Sequence, residues 1–79
     1  MTRSIADVLI DIKRETQDNF NFLTSASHTY LRIMFNCDDT ELKNYIPLFV
    51  LVSKRVWKGS IANQLRNELL SHSYSRNVT

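Results

Sequence analysis

The side chains that most often carry catalysis or bind metals are few in this sequence and lie far apart. Cys37 is the only cysteine, and His28 and His72 are the only histidines. A zinc site needs several such ligands at short spacings, and no second cysteine stands near Cys37. Asp38 and Asp39 follow Cys37 directly, so their negative charge should raise the pKa of the thiol and make it less reactive. The sequence therefore predicts neither a metal site nor a nucleophilic cysteine.

The sequence also gives little support for a phosphate-binding site or a substrate pocket. The single glycine, Gly59, excludes the glycine-rich loops that bind phosphates and dinucleotides. The acidic residues Asp38, Asp39 and Glu41 lack the ligand ladder of a calcium loop and fit a helix cap instead. A chain of 79 residues also has little volume for a pocket that encloses a substrate. We therefore expect no enzyme, no cofactor and no small-molecule substrate.

Positive charge is concentrated in the last third of the chain. The whole chain has a net charge of +2, whereas residues 52–79 contain five basic residues and one acidic residue. Basic and aromatic side chains together favour an acidic protein as the partner. The residues expected to contact that partner are Lys54, Arg55, Trp57, Lys58 and Arg66. The function that follows is that of a non-catalytic accessory or regulatory protein that binds another macromolecule.

The same region allows an alternative, because residues 48–71 have the order of a helix–turn–helix with Gly59 in the turn. In this interpretation residues 60–71 form the recognition helix of a small DNA-binding regulator. The residues expected to contact nucleic acid are Gln64, Arg66, Asn67 and Lys58. Arg55 argues against it, because this position usually carries a small residue that lets the two helices pack closely. Protein binding is the favoured interpretation, and DNA binding is the alternative.

Apolar periodicity predicts an all-α fold, a small bundle of three or four short helices. One glycine and one proline are too few for the many turns of a β-sandwich or barrel. Apolar residues recur at helical spacing in four segments, which are residues 4–16, 19–36, 39–57 and 60–72. Ser4, Asp38 and Ser60 are the expected N-caps of the first, third and fourth segments. Residues 4–36 fit either one bent helix or two, and we prefer two.

The third segment contains the longest apolar run, residues 45–52, and Pro47 lies inside it. Proline removes a backbone donor, so we expect this helix to be bent or broken there. Apolar side chains cover every side of the segment, which is more surface than three short helices easily cover. We therefore expect a homodimer, although complete coverage by the other helices is the alternative. The predicted dimer interface consists of Tyr45, Leu48, Phe49, Val52 and Val56.

The sequence predicts a single helical domain over residues 1–72 and a flexible tail over residues 73–79. The longest apolar run has eight residues, and a membrane-spanning helix needs about 20. Asp7 and Asp11 interrupt the apolar core that a signal peptide requires. A single cysteine suits a reducing compartment. We therefore expect a cytoplasmic protein without a membrane partner.

Overall fold

The computed structural model describes residues 3–74, which form five α-helices. In chain order they are α1 (Ile5–Thr16), α2 (Phe20–Leu23), α3 (Ala26–Asn36), α4 (Asp39–Ser53) and α5 (Ser60–Tyr74). The described residues contain no strand, so the all-α prediction is confirmed. None of these helices is long and apolar enough to cross a membrane. Of the predicted tail, residues 73 and 74 belong to α5, and residues 75–79 lie outside the described residues.

Short polar side chains begin the helices, and two of these caps are where the sequence placed them. The Oγ of Ser4 accepts a hydrogen bond from the backbone N–H of Asp7 at 3.2 Å. The Oδ1 of Asp38 accepts one from the N–H of Glu41 at 3.0 Å. Each cap satisfies a donor that the first turn of a helix leaves without a partner.

The predicted segment 19–36 is divided into two helices, so residues 4–36 form three helices and not one or two. Asn19 begins α2, because its Oδ1 accepts from the N–H of Phe22 at 3.1 Å. Ser25 causes the division, since its Oγ donates to the carbonyl of Phe22 at 2.7 Å and accepts from the N–H of Ser27 at 3.1 Å. One hydroxyl thereby serves the end of α2 and the start of α3.

Helix α4 includes Pro47 and ends at Ser53, four residues before the predicted end at Trp57. The N–H groups of Val56 and Trp57 both donate to the carbonyl of Ser53, at 3.2 and 2.9 Å. This turn replaces the next turn of helix. Pro47 is exposed, on the side of α4 that faces away from the core. The predicted bend at Pro47 stays a prediction.

Helix α3 packs on α4, α4 packs on α5, and α1 packs on both α3 and α5, while the short α2 packs on α3. All five helices contribute to one core, which consists of Val8, Leu9, Ile12, Phe22, Leu31, Met34, Leu42, Ile46, Phe49, Val50, Trp57, Ala62, Leu65 and Leu69. The packing of α1 on α5 brings the two ends of the described chain together.

Arg3 strengthens the contact between α1 and α5. Its guanidinium donates to Asp11 on α1 and to Glu68 on α5. These carboxylates raise the pKa of Arg3, Glu68 more than Asp11. On the same helix as Glu68, the Nε2 of His72 lies 2.6 Å from the carbonyl oxygen of Arg3.

Candidate interaction surface

The six residues between α4 and α5 carry three positive charges and no negative charge. We call residues 54–59 the basic loop. The side chains of Lys54, Arg55 and Lys58 are all exposed. None of the three forms an ion pair with another residue of the described chain. The basic loop therefore presents positive charge that nothing in residues 3–74 neutralises by direct contact.

Arg66, on α5, fixes the basic loop from the inside of the protein. Its Nη1 donates to the carbonyl of Trp57 at 2.7 Å and to the Oγ of Ser53 at 3.3 Å. Its Nη2 donates to the Oδ1 of Asn63 at 2.9 Å. The Cζ of Arg66 lies 5.4 Å from the centroid of the Trp57 ring, within the range of a cation–π contact. Burial lowers the pKa of this guanidinium, which has no carboxylate partner among the described residues.

The side chain of Trp57 points into the core, where only 6% of its surface is exposed. The Trp57 and Phe22 rings meet edge to face, with centroids 6.0 Å apart and an interplanar angle of 75°. From the other side, the Nδ2 of Asn19 donates to the carbonyl of Val56 at 2.9 Å. The basic loop is thus fixed by α5 through Arg66 and by the start of α2 through Asn19.

The structure therefore separates the five residues that the sequence placed on one partner-binding surface. Lys54, Arg55 and Lys58 are exposed. Trp57 and Arg66 are buried, because the arginine bonds the tryptophan carbonyl and packs on its ring. The surface therefore carries only the three cations, while the buried pair determines the position of the backbone that carries them.

The predicted nucleic-acid residues on α5 are also separated. Gln64 and Asn67 are exposed, whereas Arg66 is 5% exposed and both of its Nη atoms donate to acceptors within the protein. The connection from α4 to α5 has six residues, longer than the three or four of a typical helix–turn–helix turn. Gly59 adopts a φ of +120° in this connection, and its carbonyl accepts from the N–H of Asn63 at 3.0 Å. Gly59 thereby takes the N-cap position of α5, which we expected Ser60 to occupy.

A groove of about 430 Å³ lies beside Gln64, at the contact between α1 and α5. Its charged lining consists of Asp11, Glu15, Glu68, Arg3 and Arg14. Two of the carboxylates, Asp11 and Glu68, are paired with Arg3. The potential next to Gln64 is therefore mixed, which is unfavourable for a phosphate backbone.

Of the predicted dimer residues, Phe49 is fully buried within the monomer. Tyr45 and Val56 are half-buried against the core, Val52 is half-buried, and Leu48 is 45% exposed. Leu51, which the sequence-based interface omitted, is the most exposed apolar residue of α4 at 66%. The monomer thus buries five residues of α4 and leaves eight of its fifteen residues exposed, Leu48 and Leu51 among them.

Five exposed residues form a line along α4 and just past its end, which we call the α4 stripe: Glu41, Asn44, Leu48 and Leu51 of α4, and Arg55 of the basic loop. Their spacing of three, four, three and four residues keeps them on one side of a helix. The spacing is readable in the sequence. What the sequence did not reveal is which side of an apolar helix the other helices leave open.

A groove of about 460 Å³ borders the α4 stripe on the side of α3. Leu51, Val52, Arg55 and Val56 line one wall, and Ser25 and Ala26 line the other. The small side chains before and at the start of α3 leave this groove open.

Cys37 and His72 line the same groove of about 560 Å³, and His28 is not part of its lining. Cys37 is half-buried, and its burial, followed by the charges of Glu41 and Asp38, raises the pKa of its thiol. This agrees with the direction that the neighbouring acids predicted. His28 packs its ring on Phe22, with centroids 6.5 Å apart, and His72 contacts the N-terminal backbone.

Within residues 3–74, no three His, Cys, Asp or Glu side chains lie close enough together to hold a metal ion. No protein-family model, curated protein or solved structure matches this chain. The function of the surface is therefore inferred from its own geometry and charge.

Proposed function

We propose that this chain is a small non-catalytic accessory protein that binds an acidic protein through the basic loop. The observation that carries the proposal is the exposure of Lys54, Arg55 and Lys58 on a backbone that Arg66 and Asn19 fix. Exposed charge without a partner steers an oppositely charged protein and speeds association. A loop that is already fixed also loses little conformational freedom on binding, which favours affinity.

Two observations support a non-catalytic role. The pKa of the Cys37 thiol is raised, so little thiolate forms at neutral pH. The Nε2 of His72 is already in contact with the carbonyl of Arg3. The cytoplasmic location is part of the same proposal and is supported by the cysteine content of the sequence.

Zero-length cross-linking with a carbodiimide tests the contact surface, because it joins a lysine amine to a carboxylate that touches it. We expect Lys54 and Lys58 to be joined to Asp or Glu side chains of one captured protein. Lys43 is the matched control, since it is exposed on α4 but lies outside the basic loop. Cross-links through Lys43 alone would overturn the proposal.

Charge reversal gives an independent measurement. Exposed ion pairs contribute about 0.2–1 kcal/mol each. The triple variant Lys54→Glu, Arg55→Glu and Lys58→Glu replaces three attractive contacts with repulsive ones, so affinity for the captured partner should fall at least about tenfold. Undiminished binding by the triple variant would contradict the assignment of this surface.

The DNA-binding alternative has less support, because the basic loop is long for a helix–turn–helix and Arg66 is buried. It makes a quantitative prediction that separates the two functions. If Lys54, Arg55 and Lys58 contacted three phosphates, raising the salt from 50 to 200 mM would weaken duplex binding about 40-fold. Fluorescence anisotropy with a labelled 20-base-pair duplex measures this. We expect no salt-dependent binding of that size, and observing it would favour the alternative.

We also propose that the protein forms a homodimer. Support comes from Leu48 and Leu51, which lie next to each other on the open side of α4 with 45% and 66% of their surfaces exposed. Sedimentation equilibrium should show a species of twice the 9.3 kDa monomer mass. A monomer at every concentration up to about 1 mM would refute the dimer but would leave the basic-loop proposal standing.

A further inference from the structure

We infer that a second copy of the chain packs antiparallel along the α4 stripe, so that the acidic start of each α4 meets the basic loop that follows α4 in the other copy. This inference rests on the homodimer proposed above and assigns it a surface, a direction and a set of charge pairs. The surface differs from the one expected from the sequence, since only Leu48 is common to both.

The first support is the position of the stripe. Its members repeat at an average of 3.5 residues, the spacing at which one helix follows another. All five are exposed, and the four that belong to α4 lie on the side of this helix opposite its buried residues, which are Leu42, Ile46, Phe49, Val50 and Ser53. A second helix can therefore lie along the stripe without disturbing the core.

The second support is charge complementarity along the stripe. Glu41 stands at its N-terminal end and Arg55 at its C-terminal end, and the two leucines lie between them. A parallel pair would place Glu41 on Glu41 and Arg55 on Arg55. An antiparallel pair places opposite charges together and also opposes the two helix dipoles. Charge therefore selects a second copy of this helix in the antiparallel direction.

A two-fold axis between Leu48 and Leu51 gives the register. Each Leu48 then lies against Leu51 of the second copy, at the mouth of the groove that borders the α4 stripe. With a rise of about 1.5 Å per residue, Arg55 stands level with Asn44 of the second copy and about 4.5 Å from the level of Glu41. An extended arginine side chain spans that difference. The symmetry makes every contact twice, including the Glu41–Arg55 pair.

The expected dimer is weak, because one stripe of one helix buries less than a standard protein interface. We expect the dimer to have a dissociation constant on the order of micromolar. Dilution series by sedimentation velocity cover this range. The affinity of the wild-type dimer then becomes the reference for variants.

Leu51→Asn tests the surface. It removes the most exposed leucine of the stripe, and the dissociation constant should rise at least about tenfold. Ile61→Asn is the matched control, since Ile61 is 53% exposed but lies on α5. A wild-type dimer that neither substitution weakens would overturn the α4 stripe while the homodimer stands. A wild-type monomer would overturn both.

A charge exchange tests the direction. Glu41→Lys and Arg55→Glu should each weaken the dimer several-fold, because each creates two repulsive pairs. The double variant restores opposite charges and should return the dissociation constant to within about threefold of the wild type. Asp39→Lys and Lys54→Glu are the controls, being neighbours of like charge outside the stripe. Additive weakening in the double variant would refute the antiparallel pairing.

Discussion

Replacing Arg66 with alanine should lower the free energy of unfolding by about 3 kcal/mol. Its bonds to the carbonyl of Trp57 at 2.7 Å and to Asn63 at 2.9 Å contribute about 1.5 kcal/mol each, because the donor is charged. The cation–π contact with the Trp57 ring adds about 1 kcal/mol. Desolvation of the guanidinium offsets about 1 kcal/mol of this total. The weaker bond to Ser53, at 3.3 Å, is left out.

The free energy of unfolding lost in Arg66→Ala is large for a chain of this length. Domains have about 0.05–0.15 kcal/mol of stability per residue, or roughly 4–12 kcal/mol here. A change of 3 kcal/mol should lower Tm by about 12–24 °C in a domain of 60–100 residues. Arg66→Lys retains the charge but not the planar fork, so it should lose about half as much.

Urea unfolding measures the effect, followed by circular dichroism and by fluorescence. Trp57 is the only tryptophan, so its emission reports directly on the site. In Arg66→Ala the native emission should shift to the red, because water reaches the indole. Arg32→Ala is the control, since Arg32 is exposed on α3 and should change stability by less than about 0.5 kcal/mol. If Arg66→Ala lost less than about 1 kcal/mol with unchanged emission, the assigned role of Arg66 would be wrong.

Three further substitutions or treatments probe other parts of the fold. Asn19→Ala should cost about 2 kcal/mol in urea unfolding, because it removes both the cap of α2 and the bond to the basic loop, whereas the exposed Asn21→Ala should cost less than about 0.5 kcal/mol. Gly59→Ala should cost about 1 kcal/mol or more through backbone strain alone, since φ is +120° and no atom lies within 4 Å of the added methyl group; an unchanged Tm would contradict that reason. The rate of Cys37 alkylation should reach half its maximum at a pH above the pKa of a free cysteine. Glu41→Gln should lower that midpoint pH, because the carboxylate raises the pKa of the thiol. An equal or higher midpoint pH in the variant would exclude this cause.

Features that depend on one turn of chain were predictable from the sequence. The caps at Ser4 and Asp38 join a side chain to an N–H three residues away. The apolar faces of the helices were likewise predictable, because their residues recur three and four positions apart. The helix break at Ser25 was not predicted. The Ser25 hydroxyl donates to the end of α2 and accepts from the start of α3, and either bond alone is compatible with a continuous helix.

Features that depend on distant contacts could not be read in this way. Two of the three acceptors of Arg66 lie on the preceding helix and loop. A charged residue on a periodic helix normally indicates a solvated face instead. Trp57 is buried by a ring of α2. The exposure of Lys54, Arg55 and Lys58 agrees with their charge, and their role in binding a partner stays a prediction. The burial of Trp57 and Arg66 depends on how α2, α4 and α5 pack together, which the sequence does not show.

The packing of α1 against α5 determines when the protein can complete its fold during synthesis. Arg3 reaches Glu68, 65 positions further along the chain, so this contact cannot form until nearly all of the described chain has left the ribosome. The neighbouring helices α3 and α4 can pair much earlier, because they are adjacent in sequence and pack on each other. Until α5 emerges, α1 has its apolar face partly uncovered. The newly made chain therefore passes through a stage in which it is open to chaperones and to association with other chains.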